Sequence, residues 1–386
     1  MIVLLLACTG SPKTTDTAAD TDTDTPDTTD TATVDDVWGP VTVDPDEWPQ
    51  ELLSETNLMR WDGSEITYNE GVVPYVLQVP LFSDYALKER AIWMPEGTAA
   101  TFLDNDVLDF PVGTVILKSF LFPDDVRDPS VGLTLIETRL LIRGTEGWDA
   151  WPYLWQEDGT DADRHVSGTV KTIDFIDPDG AERTAQYLVP QRNQCTDCHE
   201  QYDDKGERFL SPIGPRARYL NGPSGHADGA PNQLQHLADA GLLEGLPELS
   251  LVDQATSWDE TLAAGIDSLS GAEVEAAARD YLDINCAHCH SPRGIEGVTS
   301  QFFLNHDNDD EFNLGVCKRP GSAGEGGVDR EFDIVPGDPK QSILWYRTTT
   351  ENVGAMMPDI GRSLGHTVAG ELLWRWIAEM EPRKCE

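Results

Sequence analysis

Two five-residue stretches carry the chemistry of this chain: Cys195-Thr-Asp-Cys198-His199 and Cys286-Ala-His-Cys289-His290. Cys-x-x-Cys-His is the attachment pattern for c-type haem. Thiols three residues apart sit about one helical turn apart, so each can add to one vinyl group of the porphyrin. The histidine that follows then lies under the iron and donates its imidazole. A lone copy has a bland alternative, a zinc half-site. Two copies with a soft ligand downstream favour haem. That ligand lies in Met356-Met357-Pro358. A thioether favours ferrous iron and raises the potential, and Pro358 fixes the backbone directly after Met357. The expected iron ligands are therefore His199, His290 and Met357, and the expected cofactors are two covalently bound haem c groups. The first iron lacks an evident sixth ligand, since no Met stands between His199 and Met356. His226 and His236 are the local candidates, each with a surface role as its alternative, and an open sixth position is the remaining option.

Several elements must hold these residues. Ser270-Gly-Ala-Glu273 reads as a capping box that opens a helix running into Cys286. Val274, Ala277, Tyr281 and Leu282 form its apolar stripe. A last helix from about Thr367 carries Val368, Leu372, Trp376 and Met380 and is expected to pack over the first. Residues 291–333 read as a Gly- and Asp-rich solvated loop. Upstream, runs at 115–122, 133–142, 169–176 and 183–188 are rich in β-branched and aromatic residues, with turn signals between them. The expected fold is α+β: a β-rich, sandwich-like domain over 47–190, a first haem-binding region over 191–265, and a helical haem domain over 266–386. Trp148, Trp151, Tyr153 and Trp155 read as packing against the sheet, with an electron relay or ligand platform as the sharper alternative.

The remaining cysteines divide cleanly. Of seven, four belong to the two motifs. Leu5-Leu6-Ala7-Cys8 resembles a bacterial lipobox, which predicts lipidation of Cys8 after removal of a short leader. Cys317 and Cys385 are then left as one pair. Haem attachment of this kind takes place outside the cytoplasm, where disulfides persist, so a Cys317–Cys385 bond is expected; two free thiols are the alternative. Residues 9–46, with the tract Thr21-Asp-Thr-Asp-Thr-Pro-Asp-Thr-Thr-Asp30, lack any apolar period and read as a disordered tether. The formal net charge of −42 argues against nucleic acid and anionic lipid surfaces and favours a basic redox partner.

Beyond the motifs, the chain from about 74 to 380 resembles a bacterial family of secreted dihaem c-type cytochromes, with a class I-like cytochrome c domain at the C-terminus. The matching phrases are PLFSDYALK (80–88), FPVGTVILK (110–118), ETRLLIR (137–143), NQCTDCH (193–199), PIGP (212–215), NCAHCH (285–290) and DIVPG (333–337). The resemblance implies two covalent haems and a redox role, and the N-terminal tether falls outside it; the lipobox, with Thr9 rather than Asp after the cysteine, predicts a lipid anchor in the cell envelope, at the outer membrane by default. It supplies no substrate. Electron transfer is the expected activity. A peroxidase-like dihaem enzyme with an open first iron, or a redox subunit that docks a dehydrogenase, are the alternatives.

Overall fold

The computed structural model describes residues 38–224, 229–294, 301–321, 327 and 329–386. The lipobox with Cys8, the tract 9–37 and His226 lie outside them. The chain divides into a unit of Met1–Trp38 and a unit of Gly39–Glu386, and the second is described here. It opens with a hairpin of Met59–Trp61 (β1) and Ile66–Tyr68 (β2). Six antiparallel strands then form the main sheet: Val72–Pro74 (β3), Leu87–Trp93 (β4), Val115–Phe122 (β6), Thr134–Gly144 (β7), Gly147–Trp155 (β8) and Ala162–Arg164 (β9), in the order β3-β4-β6-β7-β8-β9. The short strand Ala100–Thr101 (β5) pairs in parallel with a later one, Leu243–Glu244 (β14). A long hairpin of Ser167–Ile176 (β10) and Glu182–Gln191 (β11) follows the sheet, and a short one of Glu200–Tyr202 (β12) and Arg208–Leu210 (β13) follows the first motif.

Alternation explains what the sheet does. In β6 the side chains of Val115, Leu117 and Leu121 enter one apolar cluster, with Leu140, Trp151, Tyr153 and Trp155 of the neighbouring strands. Side chains of opposite parity face the other way. There Phe120 and Phe122 pack on Phe175, Tyr187 and Val189 of the β10–β11 hairpin, while Ile92 and Ile116 join the helical part. Trp151, Tyr153 and Trp155 are thus core. Tyr153 donates to the Gln50 carbonyl at 2.7 Å and Trp155 Nε1 to Thr138 Oγ1 at 3.0 Å.

The helices are Thr196–His199 (α1), Ala217–Leu220 (α2), Gln233–Asp239 (α3), Trp258–Ala264 (α4), Gly271–Cys286 (α5), Ile343–Thr349 (α6) and Thr367–Glu379 (α7). The capping box is present: Ser270 Oγ accepts from Glu273 N, and Glu273 Oε2 accepts from Ser270 N at 2.7 Å. Val274, Ala277, Tyr281 and Leu282 are buried, and α7 packs on α5 through Ala369, Leu372, Leu373, Trp376 and Ile377. The mixed architecture is α+β.

One apolar cluster runs through the boundaries at 190 and 265, from Tyr75 and Phe110 through Leu234 and Trp258 to Ile377. Its seam is the connection 75–85. Gln233 pairs with the backbone of Val76 both ways, at 2.8 and 3.0 Å. Phe82 N donates to Asn285 Oδ1 at 2.8 Å, and Asp84 accepts from Ser363 N and Leu364 N at 2.7 and 2.8 Å.

Two stretches differ from expectation. Residues 39–46 are already laid on the sheet: Val41 and Val43 pack against its core, and Thr42 N donates to the Thr56 carbonyl at 3.1 Å. Within 291–333, Leu304, Leu314 and Val316 are buried, because their apolar side chains outweigh the polar residues between them.

Candidate functional site

The first motif sits where β11 ends. A 3-10 turn at Arg192–Cys195 leads straight into α1, so Cys195, Cys198 and His199 fall on one tight spiral. The turn is anchored on β8: Arg192 Nη2 meets both Asp149 oxygens at 2.7 and 2.6 Å, and its guanidinium lies 4.1 Å from the Trp151 ring centre. The β12–β13 hairpin then folds Ser211 back onto the motif. Ser211 N donates to the His199 carbonyl at 2.8 Å, and His199 Nδ1 meets the Ser211 carbonyl at 2.8 Å. A carbonyl only accepts, so the ring proton is on Nδ1 and the Nε2 lone pair is left for a metal. Burial pushes the His199 pKa down to about 4, so the imidazole is neutral at pH 7.

The second motif caps α5. Cys286 is its last residue, and Cys289 N and His290 N both return to the Cys286 carbonyl, at 3.1 and 2.8 Å. Leu304 N donates to the His290 carbonyl at 2.8 Å, and Phe302 stands edge-on to the His290 ring at 5.1 Å. Among the described residues His290 Nδ1 is buried without a hydrogen-bond partner of ordinary geometry, and the Phe302 backbone beside it acts to raise the His290 pKa. Burial lowers the His290 pKa to about 4.

The two motifs meet. Cys289 Sγ donates to the Asp197 carbonyl at 3.5 Å, and Tyr202 N donates to the Arg293 carbonyl at 3.1 Å. His288, 5 % exposed, lies close enough to His199 and His290 for both to depress its pKa, after burial, to about 3. All four thiols are partly buried, and burial raises each: Cys195 upward, Cys198 to about 11, Cys286 and Cys289 to about 12.

Met357 lies on a loop that reaches both motifs. Asp359, two residues on, acts electrostatically on Cys289 and His290 and on Asp197 and Cys198. Met357 N donates to the Arg347 carbonyl at 2.8 Å, and the buried Arg362 donates to the carbonyls of Met357, Arg347, Thr350 and Leu364 at 2.8–3.1 Å. Met356 is buried and Met357 half-buried. Ile360 and Gly361 of this loop also line a cavity of about 120 Å³ over the first motif, with Cys195, Cys198 and His199. No second His and no Met is in its wall among the described residues. His236, on α3, is half-buried and outside that wall.

The donor set fits covalent iron porphyrin. Each motif offers two protonated thiols and a neutral imidazole, and one imidazole is already held by its far nitrogen as metal-bound histidines are. A zinc centre needs four converging ligands. Among the described residues no group of three His, Cys, Asp or Glu side chains could hold a metal ion. Cys317 and Cys385 are bonded to each other across 68 residues. No described helix is long and apolar enough to cross a membrane.

Three features escaped the sequence reading: His288 inside the second motif, Arg362 behind Met357, and a row of cations on the sheet beside His199. Only the last left a signal, in Lys118 and Arg139 amid apolar strand residues.

A pH dependence follows from two histidines outside the ligand set. Burial holds both His288 and His366 at about 3, against an ordinary 6.5. The unfolded chain takes up these protons first, so stability is complete above about pH 6.5 and falls as the pH drops toward 3. Denaturant midpoints against pH measure this. The slope in that window is expected to flatten in His288→Gln and in His366→Gln; an unchanged slope in both removes the assignment.

No protein-family model, no curated protein and no solved structure matches the chain.

Proposed function

We propose that this chain is a dihaem c-type cytochrome that transfers electrons in the cell envelope. The observation that carries the reading is the contact between two Cys-x-x-Cys-His motifs through Cys289 and Asp197, with His199 already oriented by Ser211. Cys195 and Cys198 would hold one porphyrin, with His199 on its iron. Cys286 and Cys289 would hold the other, with His290 and Met357 as the side chains offered to its iron. When bound, each iron porphyrin supplies a one-electron couple. The chain's residues do the rest. The Ser211 carbonyl raises the basicity of His199 Nε2 by drawing on the Nδ1 proton. Phe302 screens His290 from solvent, Arg362 fixes the Met357 loop, and the sheet keeps water from the first motif.

On this reading 47–190 is a sandwich-like scaffold and 266–386 a class I-like cytochrome c domain. Cys8 is a lipid anchor at the outer membrane and the Thr/Asp tract a spacer. With 69 Asp and Glu against 27 Lys and Arg, the surface would steer a basic redox partner, and salt would weaken the encounter. A second reading, a ligand-binding or peroxidase-like enzyme, is favoured by one observation: among the described residues the cavity wall at His199 offers no second His or Met.

Expression with haem-maturation machinery and intact mass measurement test the proposal. Two added porphyrins are expected, falling to one in Cys195→Ser/Cys198→Ser and in Cys286→Ser/Cys289→Ser. Matured material of unchanged mass sinks it. A first iron that is low-spin and inert to cyanide favours electron transfer; a high-spin iron that binds cyanide favours the second reading.

A further inference from the structure

Three cations stand in one row on the sheet face that looks toward His199. The register sets Arg90 of β4 opposite Lys118 of β6, and Lys118 opposite Arg139 of β7. Cross-strand partners share a face, and like charges directly opposite destabilise a sheet. All three line the cavity that holds Cys195, Cys198 and His199. Three carboxylates act on this row: Glu89 on Arg90, Glu137 on Arg139 and Lys118, and Asp84 on the adjoining Lys88. Glu137, fully buried, takes Arg139 in a fork at 2.9 and 2.5 Å and the Tyr187 hydroxyl at 2.6 Å. Asp84 is held by Ser363 and Leu364. Arg90 is 6 % exposed, its Nη2 has no hydrogen-bond partner, and Nη1 reaches only the Lys88 carbonyl at 3.5 Å. Lys118 shows no hydrogen bond or ion pair from its ammonium among the described residues; that group lies 4.8 Å from the Phe120 ring centre. A buried guanidinium and a half-buried ammonium side by side, with no carboxylate in direct contact among the described residues, are costly to hold.

We propose that Arg90 and Lys118, flanked by Arg139, are the seat of an anion of the carboxylate or small-oxyanion class in the wall of the first-motif cavity. A guanidinium suits two oxygens of such a group, and an ammonium shares one of them in a carboxylate or takes a third in a larger oxyanion. The haem reading decides only the source: a propionate of the attached porphyrin, or a diffusible oxyanion. Burial and the neighbouring cations Arg90, Arg139 and Lys88 also drive the Lys118 pKa well down, a penalty that a bound anion would relieve.

The test uses the full chain after maturation, as wild type, Lys118→Met and Lys118→Arg, each with its porphyrins counted by mass. Sodium sulfate is titrated by calorimetry. Saturable binding, weakened about tenfold or more in Lys118→Met and kept in Lys118→Arg, supports a diffusible oxyanion. No sulfate binding, with a propionate carboxylate band in the redox-difference infrared spectrum that moves in Lys118→Met and returns in Lys118→Arg, supports the propionate. Absence of both overturns the seat. So does a Lys118→Met protein whose ferric spectrum is altered before any sulfate is added, since the amine is then bound to the metal itself. Arg90→Gln repeats the comparison should Lys118→Met fail to fold. Wild type without two porphyrins removes the haem reading, yet its sulfate titration still tests the seat.

Discussion

Arg218→Met is expected to lower the unfolding free energy by about 3–5 kcal/mol, the cost of removing one partner from a buried ion pair. Arg218 leaves α2 and enters a nest of carboxylates. Its Nη2 meets Asp280 at 2.7 Å, Nη1 meets Asp283 at 3.2 Å and Nε meets Asp253 at 2.9 Å. Asp280 and Asp283 sit on α5, one to two turns before Cys286, and are 5 % and 3 % exposed. Tyr219 adds its hydroxyl to Asp283, and Thr256 N its hydrogen to Asp280 at 2.6 Å. Burial alone would lower the Arg218 pKa; Asp280 and Asp283 more than reverse it. Removal of the guanidinium leaves two buried carboxylates close together. Chemical denaturation measures the loss, and Arg218→Met/Asp280→Asn is expected to recover part of it. A loss under about 1 kcal/mol for the single variant would mean that solvent reaches the nest.

Arg362→Met is expected to free the Met357 loop. Four carbonyls, at Arg347, Thr350, Met357 and Leu364, converge on this guanidinium. No carboxylate competes for it at ion-pair distance among the described residues. Hydrogen bonds to a charged group contribute about 1.5–3 kcal/mol each, so a local loss of at least about 2 kcal/mol is expected. On the proposed reading the second iron would then lose its sulfur ligand: its midpoint potential drops, its thioether-to-iron absorption band fades, and it begins to bind cyanide. Met357→Ala should reproduce all three changes and Met356→Ala none. A spectrum that responds to Met356→Ala instead moves the ligand by one residue; no response to either removes methionine ligation altogether.

What could be read before the fold was known follows from the range of the forces involved. The run Val115–Phe122 is a strand at its expected bounds, because alternation and β-branching act locally. The box at Ser270 and Glu273 opens its helix for the same reason. Cys317 and Cys385 could be paired by subtraction alone. The opposition of Arg90, Lys118 and Arg139 could not, because it depends on a register among three strands far apart in the chain. Nor could the site at which Val41 and Val43 dock, or the burial of Leu304, since both rest on surfaces that exist only after the sheet and α5 have met. His288 reads as a filler between two thiols until the first motif is brought against it.

The contact between the motifs bears on the order of assembly. In the folded chain the four thiols are partly buried, and burial together with neighbouring thiols and carboxylates pushes Cys286 and Cys289 up to about 12, so reactive thiolate is scarce at neutral pH. On the proposed reading, porphyrin would therefore be stitched on most readily while the polypeptide is still open and its thiols are exposed. Collapse around it would come second, and a chain that closed too early would be a dead end for the maturation enzymes.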